Sequence, residues 1–172
     1  GSLTYASGYD PRHSAADITL VEEAADTAAA AEVALLFVGL PGIYESEGFD
    51  RAHMRLQEQH EALNRAFCTA NPKTLFVLSN GAPVEMPWID LADTVLETYL
   101  AGQAGGSAVA DLLFGLANPS GKLAETFPLQ QSDVGADGWF PGTGRQVQYR
   151  EGLYVGYRYF DSAEVPVLFP FG

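Results

Sequence analysis

Three short strand-like runs constrain this chain more than anything else in it. Val33–Val38, Leu75–Leu78 and Thr94–Tyr99 are each too short for a helix and are rich in large aliphatic and β-branched residues, the composition of strands buried in a parallel sheet. Helical patterns alternate with them. Ser14-Ala15-Ala16-Asp17 has the form of a capping box. Ile18, Val21, Ala25 and Ala28 follow at helical spacing in an alanine-rich run of high helix propensity. Met54 to Ala70 places Leu56, Leu63, Ala66 and Phe67 on one face, and Asn71-Pro72 stops it. Trp88 to Asp93 reads as a short helical link. The Gly102–Gly106 turn then leads into a helix capped by Ser107, running through Phe114 and closed by Gly115. Strand and helix alternating in this way predict an α/β fold, a three-layer α/β/α sandwich with a mostly parallel sheet, as a single domain over 1–172.

Other segments are less regular. Leu3-Thr4-Tyr5 is a strand candidate near the start. Lys122 to Phe127 alternates and reads as a further strand after the tight turn Asn118–Gly121. Tyr149 to Phe160 is dense in aromatics and reads as an extended segment covering the core. The sequence stops at Leu168-Phe169-Pro170-Phe171-Gly172 with no closing element, which reads as the edge of a domain cut from a longer polypeptide.

Composition excludes several function classes. Nine Lys and Arg stand against 22 Asp and Glu, a formal net charge of -13. Such a surface repels nucleic acid and anionic membranes, so neither is an expected partner. No apolar run approaches the roughly 20 residues of a membrane helix, and no signal-peptide pattern opens the chain. Cys68 is the one cysteine, so no internal disulfide can form. That fits a reducing compartment and gives a cytoplasmic expectation.

The familiar chemistries mostly fall away. His13, His53 and His60 lack the partner spacing of a zinc site, so no metal is expected. No G-x-S-x-G elbow occurs, and Cys68 near a helix end reads as a core thiol. No phosphate-loop motif occurs, and no cofactor is expected. Gly102–Gly106 does precede a helix, where an anion could rest, so a non-catalytic α/β module binding a small ligand is an alternative reading. A scaffold that forms a homo-oligomer through Tyr149–Phe160 is another.

Carboxylates remain. Glu45-Ser46-Glu47-Gly48-Phe49-Asp50-Arg51 follows the first strand, at the carboxyl end where open α/β sheets place their ligands. A glycosidase needs a protonated acid near a second carboxylate. Glu45, Glu47 and Asp50 are all available there, and spacing alone does not choose among them.

The chain resembles the second domain, the α/β sandwich, of family-three glycoside hydrolases, especially bacterial β-glucosidases. The resemblance covers nearly the whole chain. It is carried in order by ESEGFDR after Val33–Leu40, NGAPVEMPW at Asn80–Trp88 and GQAGGSAVADLLFG at Gly102–Gly115. NPSGKLAETFP at Asn118–Pro128, YREGLYVGYRYFD at Tyr149–Asp161 and the final LFPFG complete it.

That resemblance implies a retaining hydrolase of terminal β-linked glycosides with a divided active site. The family's nucleophile is an aspartate on a preceding (β/α)8 barrel, which this chain lacks, so the domain alone is expected to be inactive. A fibronectin-like domain is expected to follow it. The family's general acid/base stands just before the glycine of an E-G-x-D-R-like motif, here Glu47. Glu45 is the rival. Gly48 would let the loop turn sharply, and Asp50-Arg51 would fix it by an ion pair or backbone hydrogen bonds. One departure is visible. Gln57 stands where relatives often have proline after the leucine, which is expected to loosen the following helix start. Ala101 occupies a position that varies.

Overall fold

The computed structural model describes every residue except Asp50. Its elements run α1 (Ile18–Ala29), β1 (Ala34–Gly39), α2 (Glu58–Ala70), β2 (Thr74–Ser79), β3 (Thr94–Glu97), α3 (Gly105–Leu113), β4 (Phe127–Pro128), α4 (Tyr157–Ser162) and β5 (Val167–Phe169). The first three strands form one parallel sheet in the order β1-β2-β3. The α/β fold with a parallel sheet is therefore the one expected. The link Trp88–Asp93 contains the predicted short helix, a single 3-10 turn over Ile89–Leu91.

Register explains the core. Ala34, Leu36 and Val38 pair with Thr74, Phe76 and Leu78, so alternate residues of both strands face one side. Val21, Ala24 and Ala28 of α1 and Leu63 and Phe67 of α2 close over that side. Trp88 is fully buried and stacks on Phe76 at 4.2 Å. Asn71 ties α1 to the start of β2. Its Nδ2 donates to the Ala28 and Ala31 carbonyls at 2.9 and 3.0 Å, and its Oδ1 accepts from the Lys73 N–H at 2.9 Å. These bonds satisfy carbonyls that the end of α1 leaves open.

Several expectations need correction. Leu3-Thr4-Tyr5 forms no strand, because both apolar side chains stand in solvent and the backbone joins no ladder. The cap of α1 is Asp17, whose Oδ1 accepts from the Thr19 N–H at 2.9 Å. Ser14 instead offers its carbonyl to the Gln59 N–H at 3.3 Å. Helix α2 begins at Glu58 rather than Met54. Leu56 and Gln57 are drawn into the interior, and Gln57 keeps an extended backbone at the N-cap. Helix α3 begins at Gly105, with Ala104 at its cap in place of Ser107. Its other end is as predicted: Gly115 has φ +71°, and the N–H groups of Gly115 and Leu116 bond back to the Leu112 and Asp111 carbonyls, a Schellman closure.

Lys122 to Phe127 does not add a strand to the parallel sheet. Only Phe127–Pro128 pairs, and it pairs antiparallel with β5. Tyr149 to Phe160 is a series of turns ending in α4 rather than an extended cover. Phe160 is buried there while Tyr149 is 87% exposed. Among the described residues no helix is long and apolar enough to cross a membrane.

Candidate active-site loop

The chain leaves β1 at Gly39, where the two strands nearly touch. A Cβ on Gly39 would stand 2.4 Å from the Ser79 carbonyl oxygen, so only glycine fits without backbone movement. Leu40 keeps the contact by donating its N–H to that same carbonyl at 3.1 Å. A turn follows in which the Tyr44 N–H donates to the Pro41 carbonyl at 2.8 Å. The sheet thus delivers the acidic loop to the carboxyl ends of β1, β2 and β3, where strand carbonyls and Gly-rich turns leave room for polar groups.

Glu45 is held. Its Oε2 accepts from the Gly81 N–H at 2.6 Å, and its Oε1 lies 3.7 Å from the Arg51 Nε. Both side chains are mostly buried, at 15% and 17% exposure. A Cβ on Gly81 would stand 3.2 Å from the Glu45 carboxyl carbon, so the absence of a side chain there lets the carboxylate approach. Arg51 also reaches the same turn, donating from Nη2 to the Pro83 carbonyl at 2.9 Å. Asp50 lies outside the described residues.

Glu47 is presented. Ser46 and Phe49 form an isolated antiparallel bridge, which leaves Glu47 and Gly48 as the two residues of the connecting turn. Gly48 has φ +91°, a conformation that L side chains rarely adopt and that a type II turn requires at this position. Both turn residues are exposed. The two glutamates therefore have different surroundings: one carboxylate is bonded to the scaffold and the other stands at the tip.

Sequence reasoning missed the floor beneath this loop. Glu97 ends β3, opposite Leu78 in register. Its Oε1 accepts from the Tyr99 N–H at 2.7 Å, while its Oε2 is buried without a partner. Burial raises its pKa to about 7, assisted by the Glu125 and Glu45 carboxylates and opposed by the Tyr99 N–H and the Asn80 side chain. Burial and Glu45 also push Glu125 upward, against the pull of Arg51. Asn80 is fully buried. Its Nδ2 donates to the Ala82 carbonyl at 3.0 Å, leaving Oδ1 unpartnered. The available signal was a glutamate closing an apolar strand, at the same sheet edge as the acidic loop.

Burial also pushes the Cys68 thiol up, in keeping with a core residue. The Gly102–Gly106 turn does run into α3, whose cap carries no side-chain hydrogen bond. No group of three or more metal-ligating side chains occurs among the described residues.

Comparison with known proteins places these features in a lineage. Residues 10–157 match the glycosyl hydrolase family 3 C-terminal domain. The chain is 50% identical over 171 residues to thermostable beta-glucosidase B of Acetivibrio thermocellus, covering 99% of this chain and 23% of that protein. It is 42% identical to an exo-alpha-(1->6)-L-arabinopyranosidase of Bifidobacterium longum, covering 98% of this chain and 22% of that one. The crystal structure of the family 3 beta-glucosidase of Bifidobacterium adolescentis superposes with a TM-score of 0.93 at 44% identity, over 96% of this chain and 25% of that chain. A beta-glucosidase of Kluyveromyces marxianus in complex with glucose gives 0.86 at 38% identity, over 92% of this chain and 19% of that one. The chain thus spans about a quarter or less of the length of these relatives.

Proposed function

The chain belongs to glycosyl hydrolase family 3, as the family's C-terminal domain, and from that premise we propose that it supplies Glu47 as the general acid/base of a retaining β-glycosidase. The observation that carries the reading is the contrast within the acidic loop. Glu45 is bonded to Gly81 and paired with Arg51, whereas Glu47 stands exposed at the tip of the turn. An acid that must reach a glycosidic oxygen on another domain has to be presented, not anchored.

The chemistry has two proton transfers. In the first step the Glu47 carboxyl gives its proton to the departing glycosidic oxygen. At the same time a carboxylate on the preceding (β/α)8 barrel takes the anomeric carbon, and the aglycone leaves as the alcohol. In the second step the Glu47 carboxylate takes a proton from water as the water oxygen displaces the enzyme carboxylate. The sugar departs with retained configuration and Glu47 is again protonated. Residues 1–172 act in this reading as one α/β sandwich domain between that barrel and a later fibronectin-like domain. By itself the domain lacks the nucleophile and is inactive. The substrate class is terminal β-linked glycosides. Two relatives of similar coverage are named for different sugars, which fits a sugar pocket built mostly by the barrel. A cytoplasmic setting suits the single buried Cys68.

Aryl β-glucoside hydrolysis by the full-length polypeptide and its Glu47→Ala variant tests the assignment. Turnover lost in the variant and restored by azide, with a glycosyl azide of retained configuration as product, supports it. Wild-type turnover in Glu47→Ala removes Glu47 from the mechanism.

A further inference from the structure

Just past the end of β3, Tyr99 has φ +50°, left-handed backbone in a residue that is not glycine. A bulky residue keeps such a conformation only when its surroundings impose it, and these residues gather at functional sites. Three hydrogen bonds impose it here. The Tyr99 N–H donates to Glu97 Oε1 at 2.7 Å, its carbonyl accepts from Ser79 Oγ at 3.1 Å, and its hydroxyl oxygen accepts from the Ala124 N–H at 3.2 Å. Ser79 also serves the acidic loop, because its own carbonyl accepts from the Leu40 N–H at 3.1 Å. The chain then turns, and Leu100 comes to rest on the next loop. A Cβ on Gly81 would stand 3.1 Å from Leu100 Cδ1 and 3.2 Å from the Glu45 carboxyl carbon, so both side chains press on the same glycine. Leu100 is still 69% exposed. An exposed leucine is ordinary by itself, but this one lies against the residue whose N–H holds Glu45.

We propose that Tyr99 and Leu100 are positioning residues for the Glu47 loop: the left-handed corner at Tyr99 sets Leu100 against Gly81 and so fixes the 80–83 turn to which Glu45 and Arg51 are bonded. The chain of contacts is continuous. Ser79 Oγ ties the corner to the end of β2, and Leu100 lies on Gly81 two residues further on. Gly81 holds Glu45 at 2.6 Å, and the Pro83 carbonyl accepts from Arg51 Nη2 at 2.9 Å. These two residues bracket the Ser46–Phe49 bridge, inside which Glu47 stands. The carboxyl ends of all three parallel strands thus meet in one clamp, with β3 closing it from the side opposite the acidic loop. Neither Tyr99 nor Leu100 needs to touch substrate. Their effect reaches the reaction through where the acid stands, and a small misplacement of a catalytic group is costly.

This inference rests on the reading that the loop carries the acid/base, and its test separates the two. In the full-length polypeptide, kcat/KM is measured on phenyl β-glucosides of similar size whose leaving groups run from dinitrophenol to phenol. The proteins compared are wild type, Leu100→Ala, Leu100→Met, Tyr99→Val and Glu47→Ala. Dinitrophenolate departs without a proton, whereas a phenol leaves only as the acid protonates it. A misplaced acid therefore slows the poor leaving groups and spares the good ones. Leu100→Ala loses about 10–100-fold on the phenyl glucoside and stays near wild type on the dinitrophenyl one. Tyr99→Val does the same, because a β-branched side chain resists the left-handed backbone. Leu100→Met keeps an apolar side chain over Gly81 and behaves as wild type throughout. Leu100 stands mostly in solvent, so Leu100→Ala reports on position even where Tyr99→Val fails to fold. An equal loss on every leaving group, or no loss, in Leu100→Ala overturns the proposal. If Glu47→Ala lacks the leaving-group dependence and Leu100→Ala shows it, the corner positions another carboxylate of the loop, and only the Glu47 assignment falls.

Discussion

Replacing Glu45 by alanine separates anchoring from catalysis. The substitution removes a charge-assisted hydrogen bond of 2.6 Å to the Gly81 N–H and a contact of 3.7 Å with Arg51. Such bonds contribute about 1.5–3 kcal/mol. Gly81 is exposed, so water takes over its N–H and the lower end applies, about 1.5–2 kcal/mol. If the loop must regain its position in each turnover, that free energy is added to the barrier. At 1.36 kcal/mol per decade the expected loss in kcat/KM is roughly 10–30-fold. Glu47→Ala loses a proton transfer instead, a factor of about 10²–10⁴. The assay is steady-state hydrolysis of an aryl β-glucoside by the full-length polypeptide, with an azide series for each variant. Azide replaces water as a nucleophile that needs no base, so it rescues Glu47→Ala and leaves Glu45→Ala unchanged. Glu45→Gln, which keeps an oxygen for Gly81 but not the charge toward Arg51, lies between Glu45→Ala and wild type. A loss beyond about a thousandfold in Glu45→Ala, recovered with azide as a retained glycosyl azide, would refute the reasoning and transfer the acid/base role to Glu45.

Three further outcomes concern the scaffold. Burial lowers the His60 pKa to about 4, so the fold favours the neutral ring, and the stability this contributes is present above pH 6.5 and lost as pH falls toward 4. At 1.36 kcal/mol per unit the wild type loses about 3 kcal/mol more than His60→Leu over that window, and parallel urea-unfolding curves at pH 7 and 4.5 in both proteins would contradict it. Asn71→Ala removes three hydrogen bonds at the α1–β2 junction; it lowers stability by about 2–3 kcal/mol, read as a drop in Tm, with kcat of the full-length enzyme unaffected at permissive temperature. Gly39→Ala forces a methyl against the Ser79 carbonyl and is expected to cost about 2 kcal/mol or more, visible as a lower urea midpoint; an unchanged midpoint would mean that the strands separate without strain.

What was legible in the sequence depended on range. β1 and β2 emerged almost to the residue, because each is a short apolar run, recognisable without its partner. Helix α2 was visible but began four residues late, because Leu56 and Gln57 are held by the interior rather than by helix propensity. Lys122–Phe127 misled because alternation reports a half-buried surface, while pairing is decided by β5, some forty residues away in sequence. The acidic loop could be found but not sorted. What distinguishes Glu45 from Glu47 is a hydrogen bond across 36 positions, and no local pattern encodes it. Glu97 was hidden for the same reason: a charged residue closing a strand is ordinarily solvated, and its surroundings come from Glu45, Asn80 and Glu125 on three other segments.

In the proposed reading the loop uses one residue type for two purposes by giving each copy a different environment. A carboxylate bonded to a backbone N–H and beside an arginine keeps its place, which suits an anchor. A carboxylate on a two-residue turn is held by the backbone instead of by its own oxygens, leaving both oxygens for chemistry. Gly48 makes this arrangement feasible. Its φ of +91° closes the turn within two residues, next to the Ser46–Phe49 bridge and the anchored Glu45. Rigidity matters because a misplacement of about 1 Å in a catalytic group can lower a rate by two orders of magnitude. An exposed glutamate at a loop tip can serve catalysis only when its neighbours are bound as Glu45 and Arg51 are, to the Gly81 N–H and the Pro83 carbonyl.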